Sequence, residues 1–337
     1  MPELPEVEVV RRGIADHVVG RQIVAATLSG HRVARRHDAG PADLLERATG
    51  ARVEAADRRG KYLWCVLARP HEDPMALVIH LGMSGQLLVQ DAASPSSRHT
   101  HATFAFADEG PDLRFVDQRT FGGLSLVQLT DDRHGTVQGA TDASGASESG
   151  SATTQPGHPY GVPSSVSHIA PDPLESAYDE GAVVRRLKTR HTAVKRSLLD
   201  QGIVSGIGNI YADEALWRAK IHGRRECSAL SKPALTRVLR HAQDVMRAAL
   251  DVGGTSFDSL YVNVNGASGY FDRSLDAYGQ TGAPCSRCGR AIVREQFMNR
   301  SSHFCPRCQP KPRVPRLTGS TANAETRMPP RRSRPAP

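Results

Sequence analysis

The chain has 337 residues, enough for two domains with cores of their own, and its formal net charge of +8 favours an anionic partner. Seven basic residues and one glutamate follow residue 308, so residues 1–308 carry a net charge of only +2 and any anion-binding face must be local. No stretch reaches the roughly 18 apolar residues of a membrane-spanning helix, and no signal peptide is recognisable. We therefore expect a cytoplasmic protein with no membrane partner.

The first residues, MPELPEVEVV, combine a proline with several carboxylates. Removal of the methionine would leave Pro2 with a free secondary amine, part of which is unprotonated near neutral pH and able to form a Schiff base. Glu3, Glu6 and Glu8 could move protons nearby, although an ordinary N-terminus without a chemical role fits these ten residues as well. A helix is predicted over residues 4–20, where apolar residues recur at three- and four-residue steps.

Six short runs with strand character follow between residues 22 and 129, separated by turns that contain glycine and proline. This spacing predicts a β-sandwich or barrel, which we assign to an N-terminal domain over residues 1–130. Lys61 enters one of these strands, where a lysine most often keeps its amine in water at the strand edge. Met83 and the pair Arg119 and Phe121 lie in glycine-rich turns. Such residues can invade a base stack, although core packing is the more common role of a single apolar residue.

The composition changes at residues 131–171. This segment includes GATDASGASESGSATTQPG, which has few large apolar residues and cannot offset its own ordering entropy, so we predict a linker or inserted loop. The chain then becomes helical. A helix predicted over residues 231–250 has an apolar face, Ser231 as its cap and Gly253–Gly254 at its end. These boundaries give a helical domain over residues 172–262 and a further region over residues 263–308.

Two features of this second half point to an anion. In SGIGNIYADEALW, Gly206 and Gly208 allow a tight turn, and a helix that begins near Asn209 would direct free N–H groups and its positive end at a phosphate. Six basic residues and no acid lie between residues 185 and 196. A glycine-rich turn between helices, beside a solvated face, is the alternative interpretation.

Four of the six cysteines form two close pairs: Cys285, Cys288, Cys305 and Cys308. The 16 residues between the pairs fit four thiolates around one tetrahedral zinc, and without a secretory signal a metal site is favoured over disulfides. Five arginines and one glutamate fall within this segment, so it either contacts an anion or is only a structural staple. Residues 309–337, rich in proline and arginine, are expected to form a disordered basic tail.

Taken in order, PELPEVE, GIGNIYADE and the four-cysteine finger resemble the formamidopyrimidine-DNA glycosylase family of bacterial base-excision enzymes. The resemblance covers roughly residues 1–130 and 172–308. It implies an α+β multidomain fold with an N-terminal β-sandwich and flanking helices, a helix–two-turn–helix DNA-binding domain, and a C-terminal zinc finger that holds one structural zinc. It also implies a bifunctional glycosylase and AP lyase that excises oxidised purines, such as 8-oxoguanine and formamidopyrimidines, from duplex DNA.

The resemblance further implies roles for the residues at matching positions. Pro2 would be the nucleophile that attacks C1′ of the damaged nucleotide and leads to β- and δ-elimination. Glu3 would be the proton-transfer acid, and Glu6 a second acidic residue of the site. Lys61 would contact the phosphate and the damaged nucleotide, which replaces the strand-edge interpretation of this lysine.

Six more positions match residues that contact DNA in the family: Met83, Arg119, Phe121, Lys195, Asn209 and Arg300. The first three would fill the gap left by the flipped base, and Arg119 would hydrogen-bond the orphaned cytosine. The other three would bind phosphates. The segment around Tyr270 lies where the family has a loop that closes over the flipped base.

The sequence departs from the family pattern in three places. DQRTFGG replaces the usual DPRRFG, so Arg119 is aligned by its distance from Phe121, and the insertion and the tail have no counterpart in compact members. Two alternatives stay open: an endonuclease VIII-like glycosylase for oxidised pyrimidines, and a non-catalytic zinc-ribbon DNA-binding protein, against which Pro2, Glu3 and Lys61 speak. We expect a monomer, because no long heptad pattern is left over once the domains are assigned.

Overall fold

The computed structural model describes residues 2–134, 157–253, 264 and 274–312. Helix α1 (Leu4–His17) opens this part of the chain and buries Val7, Val10 and Ile14 against the first domain. The helix predicted over residues 4–20 is therefore present but ends at His17. Within the described ranges, no helix is both long and apolar enough to cross a membrane.

The first domain consists of two antiparallel sheets and a second helix. Its elements are β1 (Ile23–Leu28), α2 (Gly40–Ala48), β2 (Arg52–Arg59), β3 (Tyr62–Ala68), β4 (Met75–His80), β5 (Gly85–Gln90), β6 (Thr100–Phe106), β7 (Asp112–Asp117), β8 (Gly123–Thr130) and β9 (Val162–Pro163). The strand order is β1–β6–β7–β5 in the four-stranded sheet and β2–β3–β4–β8–β9 in the five-stranded sheet.

Apolar side chains from both sheets share one core. Phe104 and Phe115 come from the four-stranded sheet, and Leu63 and Ile79 come from the five-stranded sheet. Along β6 every second residue is buried, as expected for a strand with one face on a core and one face in water. The predicted β-sandwich is confirmed.

Part of the predicted linker is folded onto this sandwich. Strand β9 pairs with the end of β8, and Val162, Val166 and Ile169 pack with Trp64 on the outer face of the five-stranded sheet. Residues 157–171 thus belong to the domain, because three well-spaced apolar side chains are enough to cover Trp64. Of the segment assigned to a linker, residues 135–156 lie outside the described residues.

The second domain is helical. It contains α3 (Glu180–Lys188), α4 (Val194–Leu198), α5 (Asn209–Ala219) and α6 (Lys232–Asp251). Ser231 caps α6, as predicted, by accepting a hydrogen bond from the Ala234 amide at 3.3 Å. Leu4 of α1 is fully buried in the core of this domain, so the N-terminus lies where the two domains meet.

A two-stranded hairpin follows, formed by β10 (Val293–Phe297) and β11 (Arg300–Phe304). It is fastened to α5 because both carboxylate oxygens of the buried Asp213 accept hydrogen bonds from it, one from the Ser302 hydroxyl at 3.1 Å and one from the His303 amide at 2.8 Å. The hairpin therefore has a fixed position beside the start of α5.

Candidate active site and nucleic-acid interface

The carboxylate of Glu3 lies at the N-terminus of α5. It accepts hydrogen bonds from the amides of Ile210 at 3.0 Å and Tyr211 at 3.4 Å, where the unpaired N–H groups of a helix favour a negative charge. Glu6 accepts a hydrogen bond from the Glu3 amide at 2.8 Å and another from the Tyr211 hydroxyl at 2.9 Å. Glu3 and Glu6 are both buried, so the first turn of α1 is fixed against α5.

Two glycines of the turn before α5 make this approach possible. A Cβ atom added at Gly208 would lie 2.1 Å from the carboxyl carbon of Glu3. Gly206 has a φ of +84°, which favours glycine, and a Cβ there would lie 2.5 Å from Leu4. The glycines singled out in the sequence therefore let the turn close on the N-terminus, and the helix end they lead to is occupied by Glu3.

Lys61 reaches the same turn from the other domain. Its ammonium group donates a hydrogen bond to the Ile207 carbonyl at 3.0 Å, and the Gln201 side-chain amide donates to that carbonyl at 3.1 Å. Gln201 also accepts a hydrogen bond from the Gly206 amide at 2.9 Å, so it braces the turn on two sides. Lys61 follows Gly60 in the tight turn between β2 and β3, which directs it away from the sandwich core.

Burial changes the proton affinities of Glu3 and Lys61. It raises the pKa of Glu3 above its usual value, although the Lys61 ammonium and the Ile210 amide act in the opposite direction. It lowers the pKa of Lys61, against the opposing effect of the Glu3 carboxylate. The raised pKa of Glu3 suits a group that delivers a proton to a substrate, whereas the Glu3 carboxylate favours the charged form of Lys61.

Lys61 lines a pocket of about 140 Å³. Its lining includes Pro2, Lys61, His80, Gln201 and Arg300, so residues from both domains and from the β10–β11 hairpin meet there. A larger cleft of about 780 Å³ beside α2 contains none of the predicted site residues. The smaller pocket is therefore the candidate active site, because of the residues that line it and in spite of its smaller volume.

Met83 and Phe121 are exposed by 39% and 47% of their surfaces, and Arg119 is exposed too. They lie on two loops at one edge of the sandwich, between β4 and β5 and between β7 and β8. Met83 and Phe121 therefore do not pack in the core, which was the alternative interpretation of these two residues. Single exposed apolar side chains are common, but two of them on adjoining loops, beside an exposed arginine, favour a role in binding.

Of the three predicted phosphate ligands, Arg300 is exposed and Asn209 is partly buried, with its side-chain amide donating to the Ser301 carbonyl at 2.9 Å. Lys195 is fully buried. Its ammonium lies 2.6 Å from an Asp213 carboxylate oxygen and donates to the Ser301 carbonyl at 3.0 Å. In this structure Lys195 therefore pairs with Asp213 and fastens the hairpin to α5, and its contact with a phosphate stays a prediction.

The four cysteine sulfur atoms lie within 4.8 Å of one another. Sulfurs bound to one tetrahedral zinc at about 2.3 Å are separated by roughly 3.8 Å, and the Cys288 and Cys305 sulfurs are 3.5 Å apart. The donor set and its geometry therefore fit one zinc ion. Trp217 and Ile292 pack around the cluster and limit access of water to it.

Sequence reasoning missed a buried ionic network behind Lys61. Arg58 lies 2.8 Å from Glu8 and 2.5 Å from Asp172, and Asp172 also accepts a hydrogen bond from the Gly60 amide at 2.8 Å. Burial opposes the ionisation of Glu8, but the adjacent Arg58 outweighs it and lowers the pKa to about 2. Only the two consecutive arginines, which directly precede the apolar strand β3, could have pointed to this network. Tyr270 and residues 313–337 of the predicted tail lie outside the described residues. The tail does not begin at residue 309, because Gln309 is buried, accepts a hydrogen bond from the Cys305 amide and donates one to the Ile221 carbonyl, each at 2.9 Å.

Comparison with known proteins gives the following matches. Models of the formamidopyrimidine-DNA glycosylase N-terminal domain, its H2TH domain, and a zinc finger found in FPG and IleRS match residues 1–124, 169–260 and 282–311. The formamidopyrimidine-DNA glycosylase of Mycobacterium sp. (strain JLS) is 55% identical over 94% of this chain and 100% of its own length. That of Rhodococcus jostii (strain RHA1) is 56% identical over 93% of this chain and 97% of its own length. A Lactococcus lactis Fpg bound to abasic-site DNA is 29% identical, with a TM-score of 0.73 over 92% of this chain and 100% of that one. MutM with carbocyclic 8-oxo-G DNA gives the same values.

Proposed function

The chain belongs to the formamidopyrimidine-DNA glycosylase family, and on that premise we propose which residues carry its reaction. The protein is a DNA glycosylase and AP lyase that acts on oxidised purines in duplex DNA, as the sequence predicted, and its C-terminal finger holds a structural zinc. The α+β multidomain fold is likewise confirmed. Because its substrate is chromosomal DNA, we propose a cytoplasmic protein that associates with the nucleoid.

Pro2 is the proposed nucleophile. Once Met1 is removed, the unprotonated ring nitrogen attacks C1′ of the damaged nucleotide, the bond from C1′ to the base breaks, and the base leaves with a proton. The nitrogen then loses its proton, the C1′–O4′ bond breaks, and O4′ leaves as a protonated hydroxyl, which opens the sugar and gives an iminium ion between C1′ and the proline nitrogen. The iminium ion makes the C2′ proton acidic, so its removal expels the 3′ phosphate in β-elimination, and a second elimination expels the 5′ phosphate. The observation that carries this proposal is that Pro2 lines one pocket with Lys61 and Arg300, while Glu3 is adjacent to it in the chain.

The neighbouring residues are proposed to supply protons and bind the backbone. Glu3, with its raised pKa, is the group that delivers or accepts the proton during base loss and sugar opening. Lys61 and the exposed Arg300 provide positive charge at the mouth of the pocket, where the phosphates of the lesion would lie. Glu6 orients the first turn of α1 through its hydrogen bond to the Glu3 amide.

The finger and the two exposed loops are proposed to hold the DNA. A zinc ion on Cys285, Cys288, Cys305 and Cys308 would cross-link the two cysteine turns and keep the hairpin rigid, so that Arg300 has a fixed position. Met83 and Phe121 would enter the stack when the lesion is extruded, and Arg119 would contact the orphaned base. We also propose that residues 1–134 and 172–253 act as the two DNA-binding halves, with the pocket between them.

Borohydride trapping tests the proposed nucleophile. Duplexes with 8-oxoguanine opposite cytosine and with thymine glycol are incubated with the protein and reductant. A covalent adduct that forms mainly on the first duplex, and that a blocked N-terminus abolishes, is expected. Trapping mainly on thymine glycol would favour the pyrimidine glycosylase alternative. Trapping that survives a blocked terminus would remove Pro2 from the mechanism.

A further inference from the structure

The two exposed loops are joined to each other by one buried carboxylate. Asp117, which is 1% exposed at the end of β7, accepts hydrogen bonds from the Ser84 hydroxyl at 2.5 Å and the Arg119 amide at 3.1 Å on one oxygen. Its other oxygen accepts one from the Gly122 amide at 2.7 Å. Ser84 follows Met83 in the first loop, whereas Arg119 and Gly122 bracket Phe121 in the second.

Ser84 connects the loops a second time, because its oxygen also accepts a hydrogen bond from the Arg119 amide at 3.1 Å. The loops are in direct backbone contact as well: a Cβ atom added at Gly82 would lie 2.6 Å from the Gly122 nitrogen. Met83 and Phe121 therefore cannot move independently without breaking this buried connection.

Arg35 holds the second loop from its outer side. Its guanidinium donates to the carbonyls of Phe121 and Gly122, each at 2.7 Å, and to the Arg32 carbonyl at 2.8 Å. Arg32 in turn donates to the Thr120 carbonyl at 3.2 Å. Thr120 has a φ of +54°, an unfavourable conformation for a threonine, which persists only because the surrounding contacts fix it.

We infer that Asp117, Ser84 and Arg35 are positioning residues for base extrusion, which fix Met83, Arg119 and Phe121 as one rigid unit before DNA is bound. The inference rests on the proposed function, since it assumes that these three side chains replace the extruded base. Loops whose backbone is already fixed lose little further entropy when their side chains enter the base stack, so more of the contact energy is available to offset unstacking of the lesion. The two loops would otherwise have to be ordered during each extrusion.

Ser84→Ala is the sharpest test, because it removes the shared hydroxyl without adding atoms. Ser167→Ala is the matched control, since that hydroxyl donates to the Ser164 carbonyl far from either loop in sequence. We expect Ser84→Ala to slow single-turnover excision of 8-oxoguanine opposite cytosine by about three- to tenfold, the effect of one lost hydrogen bond. Affinity for undamaged DNA should stay unchanged, because phosphate contacts do not involve Ser84.

Fluorescence of 2-aminopurine placed beside the lesion reports the extrusion step itself, and it should slow by the same factor. In a Met83→Ala/Phe121→Ala background, adding Ser84→Ala should slow excision less than twofold, since no wedge is left to position. Asp117→Asn gives a second variant: its amide must face an N–H donor, so it should reproduce the defect.

Three outcomes would overturn the inference. Excision by Ser84→Ala at the rate of Ser167→Ala would show that the connection is not needed. An undiminished effect in the background without the wedge would show that Ser84 acts elsewhere. If Met83→Ala and Phe121→Ala themselves excise like the unaltered protein, the proposed wedge role fails and the inference fails with it; if they are impaired and Ser84→Ala is not, only the inference fails.

Discussion

Gly208→Ala should separate the position of Glu3 from the stability of the fold. The Cβ atom of an alanine would lie 2.1 Å from the carboxyl carbon of Glu3 and 2.3 and 2.5 Å from its oxygens. The backbone at Gly208 is extended, with a φ of −118°, so alanine brings no backbone strain. Because the clash is with the far end of a side chain, the carboxylate can move aside while the surrounding backbone stays in place.

The displaced carboxylate loses its hydrogen bonds from the amides of Ile210 and Tyr211. Overpacking of this kind costs about 1–3 kcal/mol of stability, which a protein of this size tolerates. The effect on the reaction is larger, because a misplaced proton-transfer group forfeits roughly a 10²–10⁴-fold contribution to the rate. We therefore expect excision of 8-oxoguanine to fall by about 100-fold or more while the protein remains folded.

Single-turnover excision on duplex DNA measures this loss, and thermal unfolding checks the fold. Gly157→Ala is the matched control, since a Cβ atom there would meet nothing within 4 Å. Cleavage at a preformed abasic site should fall much less, because no base has to leave. If Gly208→Ala excises the base within twofold of Gly157→Ala, the contact between Gly208 and Glu3 does not position the acid and the reasoning is refuted.

Four further predictions concern the finger, the tail and a buried histidine. Arg300→Ala should weaken binding to abasic-site DNA and lower the slope of log affinity against log salt concentration by about 1, the effect of one lost phosphate contact. Unchanged affinity would argue against a role of the finger in DNA binding. Cys305→Ser should release zinc, measured with a chromogenic chelator, and abolish binding to damaged DNA, whereas retained binding without zinc would contradict a structural ion. Deletion of residues 311–337 should spare single-turnover catalysis and flatten the salt dependence of binding; lost turnover would show that the tail does more than attract DNA. Burial alone would lower the pKa of His158, but the carboxylates beside the ring have the larger effect and raise this pKa to about 9. The ion pair between His158 and Glu175 should therefore stabilise the fold fully below pH ~6.5, and this stabilisation should be lost as the pH rises through about 9. The melting-temperature deficit of His158→Gln should therefore be large at pH 6 and vanish above pH 10.

Sequence pattern predicted the elements whose apolar residues follow a clear period. Strand β3 and helix α6 were found because their buried faces consist of consecutive or regularly spaced apolar residues. Strand β2 was missed, since RVEAADRR contains five charged residues and no period-two pattern. Arg58 and Arg59 are buried all the same, because they pair with carboxylates that lie 50 or more residues away in the chain. Such partners cannot be read from a local window.

The predicted linker is the opposite case, a polar segment in which a few apolar residues were overlooked. Averaged over residues 131–171 the composition is poor in large apolar residues, yet Val162, Val166 and Ile169 are enough to anchor one end of the segment to Trp64. An average over forty residues conceals three well-placed side chains. These three side chains, the His158 ring and a two-residue strand are enough to bury Trp64 completely.

For the basic run between residues 185 and 196, the sequence overestimated the number of positive charges that are free to bind an anion. The glycine turn was predicted to face a phosphate, but the structure brings Glu3 to that helix end and Lys61 to the Ile207 carbonyl of the turn, contacts that the separate motifs did not reveal. Charge counting did worse: Lys188 donates to the Leu230 carbonyl at 2.8 Å, Arg190 lies 3.1 Å from Asp200, and Lys195 is neutralised by Asp213. Half of the six positive charges thus serve to hold the helical domain together. The arginines at positions 185, 186 and 196 are exposed, although Arg185 lies 3.6 Å from Asp179. We predict that DNA contacts of this segment depend on these three side chains and that the salt dependence of binding is weaker than the sequence alone suggests.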